Sequence, residues 1–370
     1  MQLIILKDNL KKALSRAERA VTENNNLPIL KNILLSADSN LKISATNLEI
    51  GLVTTAAAKI NQKGKITIPF APFFNIVTNS NSERISLESH EDSLVVKTDN
   101  YEAKLQGVSS EEFPIIPSIE EEKIGYIEIS SQLFSDALSQ VSLSAQISEL
   151  KPELSGVLLD FQIGQIKLVA TDSYRLSEKT IQDQNFKTTL KEAFKVIIPL
   201  NTVTEFSRVF SESEEVKVFI EEGQVLFKSN DNYLISRLID GDYPDYQVII
   251  PEKTETELAL ERVEFLNALK LVNSFSGRTN DIQLELSENE KALQLYSSNQ
   301  SIGENKYLVP VKKSGSNLEK TSFNARYLID GLKSFKAENV TLSLNSSQKP
   351  ALLKPSGDNS IFYIVMPLES

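Results

Sequence analysis

Few side chains in this sequence of 370 residues are of the types that usually carry out chemistry. The only histidine, His90, lies in "ESHEDS", whose polar composition favours a solvated turn. A single histidine cannot build a multi-histidine metal site, and a chain without cysteine has no thiolate chemistry and no disulfide. Neither glycine-rich phosphate-binding pattern, G-x-x-x-x-G-K-[ST] or G-x-G-x-x-G, occurs. We therefore expect no metal and no cofactor.

The segment "ATDSYRL", residues 170–176, brings together the residues most suggestive of a reactive cluster. Asp172, Tyr174 and Arg175 could serve acid–base chemistry, but an aspartate that caps a turn after an apolar strand is the commoner arrangement. Asp245 is the other carboxylate considered for such work. The remaining carboxylates are grouped as "EEEK", "SESEEV" and "EKTETE", which is typical of solvated loops. The inventory predicts a protein that binds rather than converts, and an enzyme remains an alternative.

Composition and charge set the broad class of the protein. Hydrophobic residues make up 41% and charged residues 24%, as in ordinary globular proteins, and the length favours two or three domains. The apolar run near the amino terminus, "LIIL", is too short for a signal peptide or a membrane span, so we expect a cytoplasmic protein without a membrane partner. The net charge of −11 argues against phosphate binding but does not say where the charges lie.

The elements that must position these residues occur as internal repeats. "KITIPFAPFFNIV" from Lys65 matches "KVIIPLNTVTEFS" from Lys195, which places Pro69 and Pro199 in equivalent positions. Further on, "SLVVKTDNYEAKLQG" matches "QVLFKSNDNYLISRLIDG", and "TSFNARYLIDGLKSFKAENVTLSL" is a fainter third copy. "ATNLEI", residues 45–50, repeats "ATDSYRL" in the same way. The amino-terminal halves repeat as a short strand, a polar cap position and an amphipathic helix, followed by two strands.

These repeats predict an α+β fold of three tandem copies of one domain, each made of two strand–helix–strands units. The boundaries fall in stretches rich in proline and glutamate, so we expect domains at residues 1–120, 121–252 and 253–370.

The helices have one apolar and one basic face. In the first, Leu10, Leu14, Ala17 and Val21 form the apolar side, opposite Lys12, Arg16 and Arg19. In the last helix, Leu328, Leu332 and Phe335 point inward, while Arg326 and Lys333 point outward with Asp330 between them. An acidic chain could thereby present a basic surface, although ordinary solvent-facing helices would show the same pattern.

The sequence resembles the bacterial DNA polymerase III beta subunit family, the sliding clamps. The segments "LPILKNILL" (residues 27–35), "ATDSYRLS", "DGDYPDYQVIIP" and the terminal "YIVMPL" resemble the family's motifs in the family's order, and the likeness covers essentially the whole chain. The resemblance implies a head-to-tail homodimer: a six-domain ring with sheets outside and helices inside, which encircles duplex DNA without sequence specificity. It also implies a processivity factor without catalytic activity.

The resemblance further implies a hydrophobic cleft that captures short peptides of partner proteins. Carried over to this chain, it comprises Leu154, Thr171, Ser173, Tyr174, Arg175, Leu176, Pro244, Val248, Tyr327, Pro350, Ile364, Val365, Met366, Pro367 and Leu368. Two departures from the family suggest a different peptide preference. Ser173-Tyr174 stand where Gly-His is common, and Leu368-Glu369-Ser370 stand where a basic residue often follows Met-Pro.

Other residues follow from the resemblance as lining or interface positions. The candidates facing DNA are Lys12, Arg16, Arg19, Lys151, Arg208, Arg326 and Lys333, whereas Asn24 and Asn201 replace expected basic residues. Leu105 and Phe275 are the candidates for the dimer interface. The implied partners are the replicative DNA polymerase catalytic subunit, the clamp loader, other polymerases, ligase and mismatch-repair proteins. A repeat-built protein-binding scaffold without a DNA role is the alternative function.

Overall fold

The same order of elements occurs three times in the computed structural model, which describes residues 1–22, 27–121 and 123–368. Each copy has nine strands and two helices within these residues. The elements of the first copy are β1 (Gln2–Leu6), α1 (Lys7–Ala17), β2 (Asn32–Ala37), β3 (Leu41–Thr46), β4 (Ile50–Ala56), β5 (Ala58–Gln62), β6 (Gly64–Pro69), α2 (Phe70–Asn79), β7 (Arg84–His90), β8 (Ser93–Lys97) and β9 (Glu102–Gln106).

The second and third copies repeat this order. The second consists of β10 (Tyr126–Ser130), α3 (Ser131–Ser142), β11 (Gly156–Gln162), β12 (Gln165–Thr171), β13 (Arg175–Gln182), β14 (Phe186–Thr188), β15 (Phe194–Pro199), α4 (Leu200–Val209), β16 (Glu215–Glu221), β17 (Gln224–Lys228) and β18 (Asn232–Arg237). The third consists of β19 (Thr256–Glu261), α5 (Arg262–Asn273), β20 (Asp281–Leu286), β21 (Ala292–Asn299), β22 (Gly303–Pro310), β23 (Lys312–Gly315), β24 (Thr321–Asn324), α6 (Ala325–Ser334), β25 (Asn339–Leu344), β26 (Ala351–Pro355) and β27 (Ile361–Val365).

The chain folds into two compact units that do not coincide with the three copies. The first unit comprises residues 1–135, 186–190 and 204–238, and the second comprises residues 136–185, 191–203 and 239–370. The second copy is divided because its two groups of strands join different sheets.

The first unit contains two sheets. One has the order β5-β1-β7-β8-β9, and the other has nine strands in the order β14-β10-β16-β17-β18-β4-β3-β2-β6. The last strand of the second copy, β18, pairs antiparallel with the fourth strand of the first copy, β4. Two copies thus share one continuous hydrogen-bonded sheet.

The second unit is built by the same rule. Its nine-stranded sheet has the order β15-β11-β12-β13-β27-β26-β25-β19-β23, and its smaller sheet has the order β22-β21-β20-β24. Here β27, the last strand of the third copy, pairs antiparallel with β13, the fourth strand of the second. This junction brings the end of the chain beside "ATDSYRL".

Helix α1 has the apolar face that its sequence predicts, with Leu10, Leu14 and Ala17 buried. Val21 is half-buried but lies beyond the helix, because the chain tightens into a 3-10 turn after Ala17. The expected polar cap position is wrong for this helix, which has Leu6 at its N-cap and no side-chain cap.

Helix α5 has the cap that the sequence predicts. The side chain of Glu261 accepts hydrogen bonds from the amides of Val263 and Glu264, two of the donors that a helix start leaves unpaired.

The histidine lies in a strand and not in a turn. His90 is the last residue of β7, and its Nε2 is 3.4 Å from Glu88 Oε1. The polar sequence around it results from its place at an exposed strand end.

Candidate functional site

The turn between β12 and β13 is held by its own side chains. Thr171 Oγ1 donates to the Arg175 carbonyl at 2.6 Å and accepts from the Ser173 amide at 3.1 Å. Asp172 Oδ1 accepts from the amides of Tyr174 and Arg175 at 2.9 and 3.1 Å. Asp172 therefore caps the turn, as its position after an apolar strand predicts.

The repeat of this segment in the first copy, at residues 46–50, folds into the same turn. Thr46 Oγ1 donates to the Ile50 carbonyl and accepts from Leu48, and Asn47 Oδ1 accepts from the amides of Glu49 and Ile50. The third residue has a positive φ in both turns, 75° at Leu48 and 78° at Ser173. A threonine and an Asp or Asn at this spacing therefore specify the turn twice.

Arg175 connects this turn to helix α6. Its Nε donates to Asp172 Oδ2 at 2.9 Å, and its Nη1 donates to Asp330 Oδ2 at 2.6 Å. The guanidinium carbon also lies 4.5 Å from the centre of the Tyr327 ring, and the side chain is only 11% exposed. Both carboxylate oxygens of Asp172 accept hydrogen bonds, so its geometry is that of a structural residue.

The carboxyl-terminal strand supplies one wall of a surface beside this turn. In the β13–β27 pairing Arg175 lies opposite Val365, and Leu176 lies opposite Ile364. Beyond the strand, the Met366 amide donates to the Tyr174 carbonyl at 2.8 Å. The half-buried Met366 is thereby fixed next to Tyr174, which is 60% exposed.

The end of the chain is bound to the third copy as well. The Leu368 amide donates to the Ser322 carbonyl at 2.8 Å, and the ring of Tyr327 stacks on that of Tyr174 at 6.4 Å between centres. Pro350 precedes Ala351, which pairs with Val365. The expected cleft residues of the third copy are therefore gathered around the turn, whereas Glu369 and Ser370 lie outside the described residues.

The other wall is the segment that follows β18. Val248 in this segment is 77% exposed, whereas Leu154, in the turn before β11, is buried. Tyr246, two residues after Pro244, packs in a cluster of buried side chains made by Leu158, Val169, Leu176, Ile197, Leu352 and Ile364. This anchoring places the wall against β13 and β27.

One buried hydrogen bond holds this wall, and the sequence did not predict it. Tyr246 Oη donates to Glu178 Oε2 at 2.7 Å, and Lys167 Nζ lies 3.4 Å from Glu178 Oε1. Burial raises the pKa of the Tyr246 phenol, and the neighbouring Glu178 raises it further, so the hydroxyl remains a donor at neutral pH. A glutamate at an inward position of β13 is the one signal that could have indicated it.

The basic residues expected to face DNA occur in both units, and most lie beside carboxylates. Arg16 Nη2 is 2.9 Å and Lys12 Nζ 3.5 Å from the Glu212 carboxylate, while Arg19 Nε is 4.0 Å from that of Glu205. The corresponding neighbours in the other cases are Glu205 for Arg208, Asp330 for Lys333 and the Ser173 hydroxyl for Lys151.

Of the three remaining positions considered for the lining, two are exposed. Arg326 is exposed at the start of α6, and Asn201 is exposed in α4. Asn24 lies outside the described residues.

The two interface candidates lie near two sheet edges. Leu105 is half-buried in β9, the last strand of its sheet, and Phe275 lies beside Gly303, the first residue of the edge strand β22. The exposed Leu271 and Leu308 accompany this second edge and were not predicted. Leu271 lies off the buried apolar face of α5. An apolar residue off that face was the signal in the sequence that could have indicated this edge.

No cluster of three or more histidine, aspartate or glutamate side chains able to hold a metal ion occurs in the part of the chain that the structure describes. Among the same residues, no helix is both long and apolar enough to cross a membrane.

Comparison with known proteins links this arrangement to one family. Models of the DNA polymerase III beta subunit match the chain in order, with the N-terminal domain at residues 1–117, the central domain at 128–245 and the C-terminal domain at 247–369. The "Beta sliding clamp" of Synechococcus elongatus is 30% identical over the whole chain and 99% of the relative. That of Staphylococcus aureus is 27% identical over the whole length of both chains.

Solved structures agree in fold. The beta subunit of Streptococcus pyogenes DNA polymerase superposes with a TM-score of 0.94 at 26% identity, covering both chains fully. The DNA polymerase sliding clamp of Bacillus subtilis superposes with a TM-score of 0.93 at 25% identity, over the whole of this chain and 99% of the other.

Proposed function

Because the chain belongs to the DNA polymerase III beta subunit family, the bacterial sliding clamps, we propose that it encircles duplex DNA and tethers the replicative polymerase. The single observation that carries this function is the match of all three family domains, in order, over nearly the whole chain. The chain is a sliding clamp and processivity factor, and we propose that it has no catalytic site of its own.

The sheets support a head-to-tail homodimer. The last strand of the second copy pairs with the fourth strand of the first, and the last strand of the third pairs with the fourth strand of the second. By the same rule β9, the last strand of the first copy, requires β22, the fourth strand of the third. Both are edge strands of their sheets, so two chains that exchange these edges form a closed ring. The domains of this ring are residues 1–120, 121–252 and 253–370.

A ring holds DNA by topology and needs only weak, dispersed contacts with phosphates. Basic side chains that face the hole attract the backbone without reading bases, which permits sliding. We assign this role to Lys12, Arg16, Arg19, Lys151, Arg208, Arg326 and Lys333.

Partner proteins dock in the cleft formed by the "ATDSYRL" turn, the segment after β18 and the chain end. Apolar side chains of a short peptide enter beside Met366 and Val248, and the flexible thioether adapts to different sequences. We propose that the polymerase catalytic subunit, the clamp loader, other polymerases, ligase and mismatch-repair proteins share this cleft.

The DNA role is tested by retention on circular DNA. The chain is loaded onto a nicked circular plasmid with its clamp loader, and gel filtration follows the bound protein before and after one cut linearises the DNA. A clamp remains bound to the circle and is released from the linear form. Equal retention on both forms would contradict encirclement and favour the alternative, a protein-binding scaffold without a DNA role.

The cleft is tested by anisotropy titration of a labelled peptide ending in Gln-Leu-x-Leu-Phe. We expect Met366→Glu to weaken binding by about tenfold or more, because a charge there must be desolvated when the peptide docks. The matched control is Ile115→Glu, which places the same charge at a side chain that is 93% exposed in the first copy. Equal binding by wild type and Met366→Glu would remove Met366 from the cleft.

A further inference from the structure

Three cations of the first copy, two on α1 and one just after it, face two carboxylates from the second copy. Lys12 and Arg16 lie at i and i+4 and therefore share one side of α1, and Arg19 follows in the 3-10 turn after Ala17; we call the three the α1 cation row. Opposite them lie Glu205, in α4, and Glu212, just beyond it, which together form the carboxylate pair. All five residues belong to the first compact unit.

Each cation of the α1 cation row lies beside one member of the carboxylate pair. Glu212 accepts a hydrogen bond from Arg16 Nη2 at 2.9 Å and also lies 3.5 Å from Lys12 Nζ, so one carboxylate serves two cations. Glu205 Oε1 accepts from Arg208 at 2.9 Å. Its Oε2 is buried, accepts no hydrogen bond from the described residues and lies 4.0 Å from Arg19 Nε.

A carboxylate satisfies arginine in the same way as a phosphate, because both present oxygens that match the guanidinium fork. The cations of the α1 cation row are therefore already paired with carboxylates in the absence of DNA. A cation that turns from a glutamate to a DNA phosphate exchanges one anion for another, and the freed carboxylate remains as a negative charge near the DNA. The lost ion pair and this repulsion offset part of the gain from the counterion release that drives protein binding to DNA.

We propose that Glu205 and Glu212 act as internal phosphate mimics that compete with DNA for the α1 cation row and keep the clamp's hold on the backbone weak. This inference rests on the proposed DNA function and adds residues that set the strength of the contact. Weak, exchangeable contacts suit a ring that slides, because a strongly bound phosphate would halt it.

The test uses full-length protein and a short labelled duplex, with anisotropy titrations over a range of salt concentrations. Glu212→Gln should tighten binding by about three- to tenfold at low salt, because Lys12 and Arg16 lose their competitor. It should also steepen the slope of log K against log salt by about one to two. The matched control, Glu214→Gln, makes the same change in net charge in the same loop, at a carboxylate without an ion pair in the described part of the chain, and should stay within about twofold of wild type.

The outcomes separate this proposal from its alternatives. Equal tightening by both variants would mean that only net charge matters and would overturn it. A lower melting temperature for Glu212→Gln without tighter DNA binding would make the pair a structural tie and would also overturn it. If the gain is real, adding Arg16→Gln to Glu212→Gln should abolish it, whereas a gain that persists must arise elsewhere. Loss of retention on circular DNA by wild type would instead refute the proposed function.

Discussion

At the scale of single residues, the proposed cleft rests on polar side chains that are largely buried beneath its surface. Arg175 is held by Asp172, Asp330 and the Tyr327 ring, so its charge is compensated and its stem can support the turn. Glu178 has a comparable place below the opposite wall, where its carboxylate accepts from Tyr246. Buried groups of this kind are costly when one partner is removed, because the other is left unsatisfied.

The Tyr246→Phe change tests the importance of the buried bond. It removes one hydroxyl and leaves Glu178 short of a donor, so we expect a loss of about 1–3 kcal/mol in the free energy of unfolding and weaker peptide binding. The matched control is Tyr296→Phe. This change removes a hydroxyl that donates to Glu304 at 2.6 Å on the exposed surface. Thermal melting of both variants is the measurement. Equal melting temperatures would show that the buried bond does not hold the wall.

At the scale of elements, the same turn occurs in two copies with different surroundings. The turns at residues 46–50 and 171–175 have the same hydrogen bonds, but the residue that follows is Gly51 in one and Leu176 in the other. A side chain at position 51 would stand 2.7 Å from Ile116, so the segment after β9 packs directly against that turn. The backbone is common to both copies, whereas the exposed Tyr174 beside Met366 is specific to the second turn.

The positive φ of Ser173 leads to a prediction about the turn itself. A residue with a Cβ is strained at φ 78°, so Ser173→Gly should relieve the turn. Ser173→Ala keeps the strain and loses the same hydroxyl, which accepts from Lys151 Nζ at 3.3 Å, and is therefore the control. Melting curves should place the glycine variant about 1–2 °C above the alanine variant. A glycine variant that melts at or below the alanine variant would mean that the turn stores no strain.

At the scale of the whole molecule, we propose the two sheet edges β9 and β22 as the places where a second chain adds. Each internal junction of the copies is made by a strand pair of the same kind, which leaves one such edge at the first copy and one at the third. The apolar side chains of Leu105 and Phe275, with the exposed Leu271 and Leu308, accompany these edges. A closed dimer would cover both edges at once.

Charges at the two edges should therefore separate the ring. Leu105→Asp combined with Phe275→Asp should convert a dimer of twice 41.3 kDa into a monomer, because both carboxylates would be buried on closure. Light scattering measures the mass. Ile163→Asp, at a side chain that is 77% exposed in the turn after β11, is the control that should remain dimeric. A double variant that keeps the dimer mass would exclude these residues from the interface.

The sequence by itself determined the features that depend on local order along the chain. The threefold succession of strands and helices, the apolar face of α1 and the turn capped by Asp172 all follow from residue types at short spacings. Four motifs in the family's order, together with the repeats, indicated the family, and the comparisons confirm it.

Only the tertiary structure decided which distant groups meet. Arg16 and Glu212 are 196 residues apart, and Arg175 and Asp330 are 155 apart, so no periodicity relates the partners of either pair. The same holds for Tyr246 and Glu178, whose hydrogen bond exists because the segment after β18 folds back over β13. Spacing along a helix or strand determines which side a residue faces, whereas its partner is determined by strands that pair across the repeats. For this reason the sequence predicts a basic side for the helix, but it could not indicate the carboxylates that face it.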